Sequence, residues 1–151
     1  MKIMRFPLVN AIFVTLLSIG YASIFIITAE HIEFTRLLSH SKTLQSAFWN
    51  SWSTFIQAGN MKYIGYLILL MASIIVLLAI AKREKYDEYQ TNILFRCFGI
   101  IGILTVFMLP LILLLILSDR NYAIESLFFL LSLQWLGFLI TDTIFLIKFL
   151  K

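Results

Sequence analysis

Three stretches of this chain, Phe6 to Ala29, Tyr63 to Ala81 and Cys97 to Ser118, contain no Asp, Glu, Lys or Arg, and a fourth, Asn121 to Ile147, contains only Glu125 and Asp142. The hydrocarbon core of a bilayer is roughly 30 Å thick, and a helix rising about 1.5 Å per residue crosses it in about 20 residues. Each run meets that length. Lipid offers a backbone amide no partner, so a spanning segment must satisfy its hydrogen bonds internally, as a helix does. The expected fold class is therefore all-α. It is a polytopic membrane protein, one domain over residues 1–151, with four transmembrane helices at about 6–29, 62–81, 94–118 and 122–148.

Composition agrees. Apolar residues make up 61% of the chain and charged residues 13%, with a mean hydropathy of +0.95. A water-soluble fold of 151 residues has no core large enough to hide that much apolar surface. The net charge of +4 comes from basic residues that flank the spans instead of clustering on one face, so no directly bound nucleic acid is expected. The lone cysteine, Cys97, excludes an intramolecular disulfide and a CxxC redox site. Lys2 and Arg5 precede the first run as they would in a signal peptide. However, the apolar stretch continues through Ile24–Ile27 to Ala29, too long for a signal h-region, and a retained helix is expected.

The basic residues predict orientation. Lys2, Arg5, Lys82, Arg83, Lys85, Arg96, Lys148 and Lys151 fall on one side of the spans, and Arg36, Lys42, Lys62 and Arg120 on the other. Both termini and the central loop are thus expected in the cytoplasm of a bacterial inner membrane. Glu30 to Asn60 and the Asp119–Arg120 turn would then face outward.

The outward segment is too short for a domain of its own, but its second half is periodic. Leu44, Phe48, Trp52, Phe55 and Ile56, with Trp49 alongside, recur at helical spacing, while Ser46, Asn50, Ser53 and Gln57 fill the other side. A short amphipathic helix over about 42–58 is predicted, with Gly59–Asn60 as its stop. Phe48, Trp49, Trp52 and Phe55 suit the membrane interface, and they suit equally a lid packed on the span ends. The inner loop, Lys82 to Asn92, mixes three basic and three acidic residues. Lys82, Arg83, Lys85, Tyr86, Asp87 and Glu88 form the candidate docking surface for a cytosolic protein partner, and Arg83 and Asp87 are spaced for an ion pair if the helix continues.

Small residues let membrane helices approach closely. Ala11, Thr15, Ser18 and Ala22 fall on one stripe of the first span, and Gly65, Ala72 and Ala79 on one seam of the second. Gly99 and Gly102 lie on adjacent turns of the third. These positions are the candidates for helix packing, within a protomer or between copies in a homo-oligomer. Pro110 is expected to bend the third span.

The fourth span carries the polar atoms of interest. Gln134 and Thr141 share a face with Phe138. Asp142 lies about 80° round the helix from Gln134, six residues before Lys148. An intramembrane carboxylate costs about 2.5–3.5 kcal/mol near a helix centre and less toward the edge, so it should face the bundle, take a proton or find a cation. Arg96 and Arg5 are the candidate partners, and Gln134, Thr141, Asp142 and Arg96 make up the candidate intramembrane polar site. Glu125, near the outer edge, is expected to be solvated.

His31 and His40 have no accompanying metal-ligand pattern, and no glycine-rich phosphate loop or Ser–His–Asp arrangement is present. Neither cofactor nor catalytic centre is expected. The leading expectation is a small non-enzymatic membrane subunit that self-associates in the bilayer and anchors or signals to a cytosolic partner, of the kind used in bacterial stress, immunity or phage-defence modules. The alternative is an oligomeric channel, a pore-forming effector or a small transporter, lined by Gln134, Thr141 and Asp142.

Overall fold

The computed structural model describes residues 5–30, 47–82, 84–118 and 123–149. They form α1 (Pro7–Glu30), α2 (Ala47–Gln57), α3 (Met61–Ala81), α4 (Glu88–Ser118) and α5 (Ala123–Lys148), with no strand among the described residues. All but α2 are long and apolar enough to cross a membrane. α1 opens with Pro7, whose fixed φ and missing N–H suit the first helical position. α4 runs unbroken past Pro110.

The tightest packing is between α1 and α3, and small residues make it possible. Ala11, Ser18 and Ala22 of α1 and Gly65, Ala72 and Ala79 of α3 are buried, with Thr15 partly so. A Cβ added at Gly65 would lie 2.8 Å from Cγ1 of Ile26 and 3.0 Å from the Ala22 carbonyl oxygen. α5 completes a trio by laying Trp135, Phe138, Leu139, Phe145 and Leu146 against it. Two side-chain pairs join α5 to α1 midway: Trp135 stacks on Tyr21 at 4.1 Å between centroids, and its Nε1 donates to Ser18 Oγ at 3.2 Å.

α4 lies outside this trio and rests on α5. Its exposed apolar surface includes Ile100, Ile103, Val106, Phe107, Leu109, Leu113 and Leu114. Gly99 and Gly102, read as packing positions, are exposed as well, and a Cβ on either would meet open space. The reason is geometric: the face of α4 turned to α5 is carried by Leu94, Phe98, Ile101 and Thr105. The two glycines lie off that face.

Hydroxyls within the spans mostly serve their own helix. Ser23, Ser73, Ser132, Thr141 and Thr143 each donate to the carbonyl four residues back. This back-bonding lets Ser and Thr sit in apolar surroundings without a partner helix.

The ends of the helices are tied together. At one end the start of α1, the end of α3, the start of α4 and the end of α5 meet. Tyr86 N donates to the Arg5 carbonyl at 2.8 Å, Arg5 pairs with Glu88 at 3.1 Å, and the Lys82 ammonium donates to the Phe149 carbonyl. At the opposite end α2 stops in a Schellman turn: Gly59 N reaches Ile56 O at 2.9 Å and Asn60 N reaches Phe55 O at 3.2 Å, with Gly59 at φ +73°. That left-handed turn, beside the Ala29 carbonyl, leads directly into α3.

Candidate functional site

Asn10 sits in the first turns of α1 and is fully buried, an unusual place for an amide in a span. Its Nδ2 donates to Oδ1 of Asp142 on α5 at 3.1 Å, and Asp142 is itself only 2% exposed. Tyr86 closes the same end of the bundle. Its backbone is pinned to Arg5, and its ring meets Phe145, one turn beyond Asp142, edge-on at 5.3 Å. Burial pushes the Tyr86 phenol above the ordinary tyrosine value, and the nearby Asp142 carboxylate adds to the shift.

Three oxygens in this cluster lack a hydrogen-bond partner: Asn10 Oδ1, Asp142 Oδ2 and the Tyr86 hydroxyl. Buried polar atoms are paired in the great majority of cases, so three orphans on linked residues mark the place. Among the described residues no cationic side chain stands within ion-pair distance of Asp142. Lys82, buried nearby, is turned to the Phe149 carbonyl, with its ammonium 5.6 Å from the Tyr86 ring centroid.

This changes the cast expected for Asp142. Arg96 is exposed and Arg5 is engaged by Glu88, so neither meets the carboxylate. Arginine at a span end is better solvated than buried, and the neutral amide of Asn10 takes its place. Nor do Gln134 and Thr141 join Asp142. Gln134 donates to Thr105 of α4, Thr141 bonds back to Gly137, and both line the α4 side of α5, whereas Asp142 faces α1. Asn10 was legible only as an isolated amide in an otherwise apolar first turn.

A second carboxylate departs from expectation. Glu125 is 1% exposed, not solvated. α2 covers it: Trp52 Nε1 donates to the Glu125 carbonyl at 2.9 Å, and Phe48, Trp49 and Trp52 surround Phe129 with centroids 5.3, 5.9 and 5.5 Å away. The aromatic face therefore packs on the N-terminal end of α5, with Phe55 stacked on Trp52. The part of the predicted helix at 42–46 lies outside the described residues.

The loop between α3 and α4 is less free than its charge pattern suggests. Lys82 and Tyr86 point inward, Glu88 pairs with Arg5, and Asp87 caps α4. Its Oδ1 accepts from Gln90 N at 2.6 Å while Gln90 Oε1 accepts from Asp87 N at 3.3 Å, the reciprocal capping box. Arg83 lies outside the described residues. Lys85, over the Phe6 ring at 4.6 Å, remains exposed with Glu84 and Tyr89.

One further feature lies on the side of the bundle. Because α4 packs chiefly on α5, an open groove of about 360 Å³ runs between α1 and α4. Phe13, Leu17 and Tyr21 form one wall, Phe98, Ile101, Gly102 and Thr105 the other, and Gln134, Trp135 and Phe138 the floor. No family model, curated protein or solved structure matches the chain.

Proposed function

We propose that this chain is a non-enzymatic integral subunit of a bacterial inner membrane, self-associating within the bilayer and presenting its basic end to a cytosolic partner. The α1–α4 groove is the observation that carries this reading. The small-residue stripes of α1 and α3 are spent inside the protomer, so they are not the association surface. The groove has a low wall at Gly102, an aromatic floor and a Gln134–Thr105 polar pair, features that favour a helix from a second copy. On the cytosolic side the surface offered to a partner includes Glu84, Lys85 and Tyr89, since among the described loop residues Lys82 and Tyr86 turn inward and Asp87 and Glu88 are engaged within the chain. The positive-inside bias supports that orientation, and defence or stress signalling is the setting in which such an anchor is used.

Native mass measurement in a mild detergent tests this reading. An oligomer is expected for the native chain and a monomer for a Gly102→Leu variant, whose added side chain fills the groove. A native chain that is monomeric at all concentrations would sink the proposal.

A pore or transporter is the second reading, favoured by the buried Asn10–Asp142 pair. A channel lined jointly by Gln134, Thr141 and Asp142 does not follow from the geometry, because these residues face different sides of α5.

A further inference from the structure

The Asn10–Asp142–Tyr86 cluster has the chemistry of a cation site. Asp142 Oδ2 is a carboxylate oxygen, Asn10 Oδ1 an amide carbonyl, and the Tyr86 hydroxyl a third oxygen, all without a partner and all on residues at most 2% exposed. Hard monovalent and divalent cations take ligands of this kind, while soft metals prefer sulfur and imidazole. The formal charge chooses between the hard ions. One carboxylate balances one positive charge, and a divalent ion would leave an uncompensated charge in an apolar bundle. Offsetting it would take a second anion, and the carboxylates of the adjoining loop, Glu84, Asp87 and Glu88, are all exposed. Lys82, on the Phe149 carbonyl, Arg5, paired with Glu88, and Lys85, over Phe6, are cations and add charge of the same sign. From α1 and α5 the side chains in contact with these residues include the neutral Asn10 and Phe145, and the cation near the end of α5, Lys148, is exposed.

We propose that Asn10, Asp142 and Tyr86 form an internal binding site for a monovalent alkali cation at the basic end of the bundle. The site lies within about two helical turns of that end, roughly 10 Å, and Tyr86 is its roof. The roof is a loop residue, tied to Arg5 by its backbone and packed on Phe145 by its ring, so the route to the site that avoids the bilayer core is past Tyr86 from the basic end. Bound ion would clamp α1, α5 and the α3–α4 loop, and so stabilise the closed end by mass action.

Thermal unfolding of the purified full chain in detergent tests this, comparing NaCl with choline chloride at equal ionic strength. The native chain should show a Tm that rises by several degrees with NaCl and saturates. Asp142→Asn, which keeps the shape and the bond to Asn10, should lose that dependence. Tyr86→Phe should keep the fold and shift half-saturation to several-fold higher NaCl. Equal Tm values for the native chain in the two salts would overturn the proposal. So would a sodium effect that persists in Asp142→Asn, or a Tm that follows pH alone at every sodium concentration.

Discussion

At Gly65 there is no room for another carbon, because the Ile26 side chain and the Ala22 carbonyl already stand where a Cβ would go. Gly65→Val should therefore destabilise the protomer by about 1–3 kcal/mol, the usual range for overpacking a tight contact. Gly99→Ala, on open surface, should be neutral or stabilising by up to about 1 kcal/mol, since alanine is the better helix former. Unfolding titrations in mixed detergent micelles check both. The glycines look alike in the sequence; only the neighbouring helix tells them apart. The same holds for Asp142. Its burial was legible from its place in an apolar run, but its partner was not, because a search for opposite charge passes over the neutral Asn10. Tyr86 carries a pH signature of its own. Its folded-state value is raised above 10.0, so the fold favours the protonated phenol. That contribution is full below pH 10 and fades as pH rises beyond it. Tyr86→Phe should remove this part of the alkaline loss of stability, read by unfolding at pH 9 to 11.

Among the elements, α4 has a capped start. Asp87 and Gln90 cap it reciprocally, and Asp87→Ala should cost about 0.5–2 kcal/mol. Amide exchange should then quicken in the first turn of α4 and not at its centre. The cap lay within a stretch whose charges drew the reading toward docking, although an Asp three residues before a Gln is a known start signal. α2 was visible through its aromatic periodicity and its Gly59 stop. What it covers was not, because periodicity gives a face and not the surface it meets. That surface is the N-terminal end of α5, at Phe129 and the Glu125 carbonyl. An exposed carboxylate was expected there because Glu125 lies near a span end. The lid explains its burial.

For the whole molecule, three charge-free runs and a fourth with only Glu125 and Asp142 were enough to specify a bundle of long apolar helices. They were not enough to specify its asymmetry. A trio of α1, α3 and α5 holds the core, with α4 on its outside, and the seams of small residues are consumed in making the trio. The clustering of Arg5, Lys82, Lys85 and Lys148 at one end predicts the orientation. In a Cys97→Ser background, a cysteine at Lys85 should react with an impermeant maleimide only from the cytoplasmic face of the membrane. The central claim is that copies meet through the groove between α1 and α4. Oxidative cross-linking in native membranes tests it most directly, again in the Cys97→Ser background. Gly102→Cys, on the groove wall, should give a band at twice the protomer mass of 17.5 kDa. Leu70→Cys, exposed on α3, should not. No dimer from Gly102→Cys, or equal dimer from both positions, would contradict the account.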